Sequence, residues 1–181
     1  RIVDPLKLTI DSGSFLEKIR EVLQISDDIP EGDTPFNPDA FLASGLEISD
    51  ARRNLESGGI EALSAFGIDV RHLLRQVGNR VGQELSFSLR NIDGNIEFLS
   101  EMMDWWEYAG LGQLSYDIDP QFHILVDHPS VKPGSLPIQS LDDGIIEGAL
   151  LSRYSDDPTV EITRTTIENS ENSVKYEINF N

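Results

Sequence analysis

Residues 137–150, which read PIQSLDDGIIEGAL, decide the fold of this chain because they predict a helix between two β-rich regions. A short polar start is followed by an amphipathic pattern with small residues at Gly144, Gly148 and Ala149. Residues four apart share one face of a helix. Gly144 and Gly148 therefore predict a face where another group approaches the backbone closely, although each glycine costs roughly 1 kcal/mol relative to alanine.

β-Strands are predicted on both sides of this helix. Before it, LSYDID and QFHILVD alternate between apolar and polar residues and meet at Asp119 and Pro120, which predicts a hairpin. After it, TVEITRTTIE and SVKYEINF alternate in the same way, with a polar turn at residues 169–172. The sequence therefore predicts two antiparallel strand pairs separated by one helix.

Further helices are predicted before the first hairpin. Asp69 is the expected N-cap of a helix whose apolar residues keep a helical period. A second amphipathic helix reaches Trp106 and ends before Gly110 and Gly112. The order of helices, hairpin, helix and hairpin predicts an α+β fold, in which an antiparallel four-stranded sheet packs against helices.

The chain of 181 residues is long enough to bury a sizeable core. We predict an N-terminal helical extension over residues 1–58 and a ligand-binding domain over residues 59–181. Within the extension, residues 25–38 contain three prolines and several acids, so an acidic loop is predicted there. A short strand at residues 6–10, a helix beginning at Ser14 and short helices over residues 40–46 and 49–55 are also expected.

The formal net charge of −18 has two interpretations. It could form an acidic surface for a basic partner or a cation. It could also reflect the dense carboxylate surface typical of salt-in halophiles, archaea among them, in which salt screens the self-repulsion. Neither interpretation favours a nucleic-acid partner, because binding phosphates requires a cluster of cations.

Two other compositional features narrow the function. The chain has no cysteine, which excludes disulfides and thiolate catalysis. No run approaches the roughly 20 apolar residues of a membrane span, and no signal peptide is predicted, so a cytoplasmic location is expected.

The second half of the chain resembles the 4-vinyl reductase, or hydrocarbon-binding, domain family, which is related in fold to small subunits of the TRAPP tethering complex. The resemblance covers about residues 66–180 and depends on weak elements in the family's order. These are Val77-Gly78 with Val81-Gly82, then Gly110, Leu111 and Gly112, then Pro137, Gln139, Gly144 and Gly148, and finally Glu161, Tyr176 and Ile178.

The resemblance implies a small apolar ligand and dimerisation through helices. Phenol-sensing members of the family hold zinc with cysteines, but the matching positions here are Gln139, about Arg164 and about Val174. Glu161 alone cannot replace those ligands. We therefore predict no metal and no cofactor, and we do not transfer reductase activity, since no Gly-rich dinucleotide motif is present.

The richest apolar cluster surrounds Trp105 and Trp106 and predicts either core or the wall of a ligand pocket. These two residues are adjacent in a helix and point about 100° apart, so one is expected to anchor the core and the other to lie at a pocket mouth or an interface. The predicted pocket residues are Leu74, Phe98, Met102, Trp105, Trp106, Phe122, Gly144, Ile145 and Gly148.

No catalytic residues are predicted. His72, His123 and His128 lack metal-ligand spacing and are interpreted as structural or surface residues. Asp142 and Asp143 could pair as carboxylates, but capping of the helix N-terminus is the favoured interpretation.

Three functions remain possible from the sequence. The first is a sensor or carrier that binds a small apolar, aromatic or lipid-like molecule and rearranges its helices, as a homodimer or with a protein partner. The second is a structural subunit that dimerises without a ligand. The third, and least favoured, is a tetrapyrrole-related reductase.

Overall fold

The computed structural model describes residues 36–119, 121–131, 133–167 and 172–180. The predictions for residues 6–10, for the helix at Ser14 and for most of the acidic loop lie outside these residues. The chain from Pro35 to Asn181 forms one compact unit. None of the helices in the described residues is long and apolar enough to cross a membrane.

The predicted α+β fold is confirmed. The five helices in the described residues are α1 (Pro38–Asn54), α2 (Ile60–Ala65), α3 (Val70–Ser88), α4 (Asn95–Tyr108) and α5 (Ile138–Arg153). The strands are β1 (Gln113–Asp117), β2 (His123–Asp127), β3 (Val160–Thr166) and β4 (Ser173–Phe180). A kinked segment, Leu55–Gly59, in which Gly58 has a positive φ of 141°, joins α1 to α2, and a 3-10 turn, Pro133–Ser135, precedes α5.

The four strands form one antiparallel sheet in the order β1-β2-β4-β3. Each predicted hairpin is present, and the central pair joins β2 to β4. Alternate residues of these two strands, Ile124, Val126, Tyr176 and Ile178, are at most 1% exposed. One face of the sheet is therefore buried, as expected for an antiparallel sheet that carries helices on a single side.

Helix α1 begins where the acidic loop was predicted to end. The side-chain oxygen of Asn37 accepts hydrogen bonds from the backbone amides of Asp39 (3.1 Å) and Ala40 (3.2 Å), which caps the helix. The two short helices expected at residues 40–46 and 49–55 are in fact one continuous helix. Its apolar face lies over α4, so this part of the predicted extension belongs to the compact unit.

The compact unit therefore starts at Pro35, before the expected boundary at residue 59. Phe41 and Ile48 of α1 are buried, so this helix contributes to the core. A Cβ atom added to Gly45 would lie 3.2 Å from the amide nitrogen of Ala109 and 3.3 Å from the carbonyl oxygen of Trp105. This short distance explains why a residue without a side chain occupies the α1–α4 contact.

Candidate functional site

Helices α3 and α5 meet through their glycines. A Cβ atom added to Gly78 would overlap the carbonyl oxygen of Leu141, and one added to Gly148 would overlap the carbonyl oxygen of Asn79. Gly82 and Gly144 have equivalent overlaps with backbone atoms of the facing helix. The group that approaches the glycines of α5 is thus another helix of the same chain.

A bidentate ion pair flanks this helix contact. Arg75 of α3 donates to both carboxylate oxygens of Glu147 of α5, and its Nε lies 3.0 Å from Oε2. Arg75 is 46% exposed and Glu147 18%, so water partly screens the pair, and we expect it to contribute little to stability compared with the backbone contact beside it.

The region predicted as a pocket around Trp105 and Trp106 is filled. Both indole rings are 0% exposed, so the expectation that one would lie at a pocket mouth or an interface is wrong. The Nε1 of Trp105 donates to Ser44 Oγ of α1 (2.9 Å), and the Nε1 of Trp106 donates to the carbonyl oxygen of Leu111 (3.1 Å). The two rings have different hydrogen-bond partners, one on α1 and one in the segment after α4, because α4 is packed on more than one side.

The other predicted pocket residues lie in three different places: the core, the α3–α5 contact and the cleft. Leu74, Phe98, Met102 and Ile145 are at most 2% exposed and belong to the core. Gly144 and Gly148 lie in the contact with α3. Of the nine residues, only Phe122 lines the cleft described next.

An open cleft of about 690 Å³ lies where the start of α4 faces the end of the sheet. Three large apolar side chains in its wall are about half exposed: Ile96 (49%), Ile118 (55%) and Phe180 (53%). The remaining lining residues are Asn95, Leu99, Gln121, Phe122, Glu161, Ile178 and Asn179. The cleft thus combines an apolar wall with a few polar groups.

Four polar residues line the cleft: Asn95 begins α4, and Gln121, Glu161 and Asn179 lie at the end of the sheet. Glu161 of β3 lies opposite Asn179 of β4 in the strand register. The amide Nε2 of Gln121 donates to Asn179 Oδ1 over 2.7 Å. This hydrogen bond holds the residue after the β1–β2 turn against the last residues of β4.

Two phenylalanines form the aromatic part of the cleft. The rings of Phe122 and Phe180 are parallel to within 3°, with centroids 6.1 Å apart. Tyr154 packs edge-on against Phe180 at 5.9 Å. Its buried hydroxyl has no hydrogen-bond partner in the described residues, and burial raises the pKa of Tyr154.

A second polar cluster is buried between α1, α5 and the sheet. Asp142 of α5 is 0% exposed and pairs with Arg52 of α1. The Nε and Nη2 atoms of Arg52 donate to the two carboxylate oxygens of Asp142 over 3.2 and 3.0 Å. This fork-like geometry matches the planar guanidinium to the carboxylate and is among the stronger charge-assisted arrangements.

Asp143 is the centre of the same cluster. Its Oδ1 accepts from His128 Nε2 (3.1 Å) and from the hydroxyl of Tyr176 (3.2 Å). Its Oδ2 accepts from Arg164 Nη2 over 2.6 Å. One carboxylate therefore ties α5 to β3, to β4 and to the residue that follows β2.

The favoured interpretation of Asp142 and Asp143 as helix caps is wrong. The first turn of α5 contains no acidic residue, and its N-terminus has no side-chain cap. Both aspartates lie in the second turn, within the buried stretch of residues 141–146. Two adjacent acids inside a stretch that is otherwise apolar or glycine were the sequence signal for a buried ion pair.

The two carboxylates are shifted in opposite directions. Burial raises the pKa of Asp142, against the hydrogen bonds and charge of Arg52. Burial would also raise the pKa of Asp143, but the hydrogen bond from His128 and the charge of Arg164 outweigh it and lower that pKa. The pKa of Tyr176 is raised by burial and by the adjacent Asp143.

We expect Asp143→Asn to destabilise the protein by about 2–3 kcal/mol at neutral pH, because Arg164 loses its charged partner. The folded pKa of Asp143 lies below its ordinary 3.8, so its stabilising effect is present above that pH and is lost as pH falls through the folded pKa. The difference between variant and wild type should therefore shrink as pH falls below 3.8. Urea unfolding at neutral pH and at a series of lower pH values measures it.

A matched control for this experiment is Asp50→Asn. Asp50 pairs with Arg53 on the surface, with both side chains mostly exposed, so its replacement should change the free energy of unfolding very little. A difference for Asp143→Asn that stays the same or grows as pH falls would contradict the assignment.

The positions that match zinc-binding cysteines do not fit a metal. Gln139 Nε2 donates to Asn172 Oδ1 over 3.1 Å, Arg164 carries a positive charge, and Val174 is apolar. In the described part of the chain, no three His, Cys, Asp or Glu side chains are grouped so as to hold a metal ion. Instead, the Gln139–Asn172 hydrogen bond joins α5 to the residue before β4, and the Arg164–Asp143 ion pair joins α5 to β3.

Comparison with known proteins adds no assignment. No family model matches this chain, and no curated protein matches it.

Proposed function

We propose that this chain is a binding module for a small apolar or aromatic molecule, with the cleft between α4 and the sheet end as its site. The observation that carries the proposal is the set of three half-exposed apolar side chains around one concave space of about 690 Å³. A cleft of this size lies within the range of about 300–1,000 Å³ that is usual for small-molecule sites.

The composition of the cleft supports a small molecule. Large apolar side chains that cluster in a concavity are uncommon on a protein surface unless they bind something. The few polar lining residues, Asn95 at the start of α4 among them, would orient a ligand. The ligand would replace water that is now in contact with Ile96, Ile118 and Phe180.

The location of the cleft suggests how binding would act on the rest of the molecule. The α3–α5 contact is made backbone to backbone and leaves no space for sliding. The start of α4 has a neutral N-cap, Gly94, with no side-chain hydrogen bond. We therefore place the ligand-coupled rearrangement of a sensor or carrier at the first turns of α4.

Membership of the 4-vinyl reductase family remains part of the proposal. The order of helices, hairpin, helix and hairpin supports it, as do the glycine pairs on two facing helices. A cytoplasmic location also belongs to the proposal, because a dense carboxylate surface is typical of proteins in a salt-rich cytoplasm.

The direct test is native mass spectrometry of protein purified in high salt, repeated after denaturing extraction. A retained molecule that is released on denaturation would support a binding role and give the ligand class. The same preparation is then titrated with 1-naphthylmethanol, a neutral aromatic probe, by saturation-transfer NMR.

We expect the double variant Ile96→Ser and Ile118→Ser to weaken probe binding by roughly tenfold, since apolar area leaves the contact. Both side chains are half exposed, so the variant should stay folded. Leu46→Ser is the matched control, because Leu46 is 53% exposed on α1, away from the cleft lining. Equal loss of binding in the control, or no binding of the probe to wild type, would refute the cleft as the site.

A second candidate function is a structural subunit that dimerises through helices. Two observations favour it: the predicted pocket is filled, and Leu46 and Tyr108 expose about half of their apolar side chains beside the α1–α4 contact. A dimer mass that is lost in Leu46→Ser with Tyr108→Ser, without any retained small molecule, would favour this function over the first.

A further inference from the structure

We infer that the outer edge of β1 binds an extended, basic segment of another protein, which adds to the sheet as a further strand. The site is the groove of about 440 Å³ between this edge and the second half of α4. Among the described residues, its lining shares no member with the cleft of the proposed function, so the two sites can be tested separately.

The first argument is the open edge of the sheet. In the described part of the chain β1 pairs with β2 alone, so alternate residues of β1 direct their backbone N–H and C=O groups away from the sheet. Proline, lysine or a bulge often protects such an edge. The strand β1 reads QLSYD, with neither proline nor lysine, and its residues keep a regular register with β2. The edge can therefore accept another strand.

The second argument is the groove beside this edge. Met103, Asp104 and Glu107 of α4 form one wall, and residues 112–115 form the other. The three α4 side chains are neighbours on the helix surface, because residues three and four apart lie side by side. Leu114 is buried on the face of the sheet that carries the helices. A strand paired with β1 would place every second side chain on this same face, next to the α4 wall.

The charge of the groove selects a basic partner. Asp104 and Glu107 are exposed, and no Lys, Arg or His is among the described residues that line the groove. In the described ranges, neither carboxylate forms an ion pair or a hydrogen bond. Charge complementarity therefore favours Lys or Arg in the bound strand. A second copy of this chain, with a net charge of −18, is disfavoured by repulsion.

The spacing of the two acids matches a strand. Asp104 and Glu107 are three residues apart on a helix, which places their Cβ atoms about 5–6 Å apart. Side chains two residues apart in a strand share one face and lie about 7 Å apart. Two basic residues at positions i and i+2 of the added strand would therefore each reach one carboxylate.

The inference is tested by titrating full-length protein with the peptide acetyl-TKVKVT-amide, in which the two lysines share one face. Calorimetry at the lowest salt concentration at which the protein is folded gives the affinity. We expect the peptide to bind about tenfold more tightly than its charge-reversed form, acetyl-TEVEVT-amide.

Backbone pairing is tested separately from charge. Two versions of the lysine peptide are methylated on backbone nitrogens, one at the second and fourth residues and the other at the third and fifth. An added strand uses every second residue for pairing, so one version should lose binding while the other binds like the parent. Hydrogen exchange measured by NMR should show that alternate amides of β1 become protected when the peptide binds.

The variant Asp104→Asn with Glu107→Gln should weaken binding of the lysine peptide roughly fivefold, because two exposed ion pairs are lost. Both residues are exposed, so the variant is expected to fold. Glu47→Gln with Glu61→Gln is the matched control. It removes the same charge from exposed positions on α1 and α2, outside the groove lining, and should leave the affinity unchanged.

Several results would overturn the inference. If both double variants lower the affinity equally, the peptide binds the acidic surface in general and not the groove. If both methylated peptides bind like the parent, or if no amide of β1 becomes protected, the contact is not strand addition. If the edge amides are already protected without peptide, another segment or a second copy occupies the edge. No binding of the lysine peptide also refutes the inference, and the cleft of the proposed function stands in each case.

Discussion

Gly82→Leu is expected to prevent the protein from reaching its folded state. A Cβ atom at this position would overlap the carbonyl oxygen of Ile145 and lie 2.6 Å from the amide nitrogen of Ala149. Both neighbours are backbone atoms of α5, so a flexible side chain cannot move aside. Leucine would force α3 and α5 apart along their whole contact, and circular dichroism with urea unfolding measures the loss.

A smaller side chain at the same contact should reduce stability without preventing folding. We expect Gly82→Ala to destabilise by about 3 kcal/mol, since overpacking a tight contact exceeds the roughly 1 kcal/mol that alanine gains as a helix former. Gly134→Ala is the control, because a Cβ at Gly134 meets nothing within 4 Å. A Gly82→Ala variant as stable as wild type would contradict the close backbone contact.

Asp142→Ala is expected to cost about 3–5 kcal/mol, the second large effect, because the buried guanidinium of Arg52 loses its bidentate partner and keeps only the longer contact with Glu56 (3.5 Å). Arg52 is 7% exposed, so water cannot replace the missing carboxylate fully. The free energy of unfolding from urea titration at neutral pH measures the change.

A double substitution distinguishes loss of the pair from loss of packing. Arg52→Met combined with Asp142→Leu replaces both charges by apolar groups of similar size, and such replacements are often neutral or stabilising. We expect the double variant to recover most of the stability that Asp142→Ala loses. If it is as unstable as the single variant, the ion pair is not the reason for the destabilisation.

Local patterns predicted most of the elements correctly. The cap at Asp69, whose Oδ1 accepts from the amide of His72 over 3.2 Å, begins α3 as expected. The alternation in the four strands predicted both hairpins. These features depend on residues within a few positions of each other, where periodicity and turn chemistry are decisive.

The group that packs against the glycines of α5 could not be predicted from local patterns. Glycines four apart in α5 predicted a close approach, but the pattern is equally suited to a ligand and to a helix. The second glycine pair, at Gly78 and Gly82, was visible in the sequence. Only the folded chain shows that the two pairs face each other.

The cleft and the ion cluster were predicted least well. Of the residues that line the cleft, Phe122 was named in advance as a pocket residue, while Ile96, Ile118 and Phe180 were not. Arg52 and Asp142 are separated by 90 positions in the chain, so no spacing rule connects them. The type of an apolar residue also does not show whether its side chain will be exposed or buried in the folded protein.

The sequence by itself determined the type and order of the elements, the acidic surface and the absence of cysteine chemistry. Tertiary structure alone decided that α1 belongs to the core and that α3 packs against the glycine face of α5. It also decided that Asp142 and Asp143 are buried and form ion pairs with arginines. The physical reason is that hydrogen bonding within helices and hairpins is local. Burial and charge pairing instead depend on which distant faces meet, and this is decided when α1, α5 and the sheet pack together.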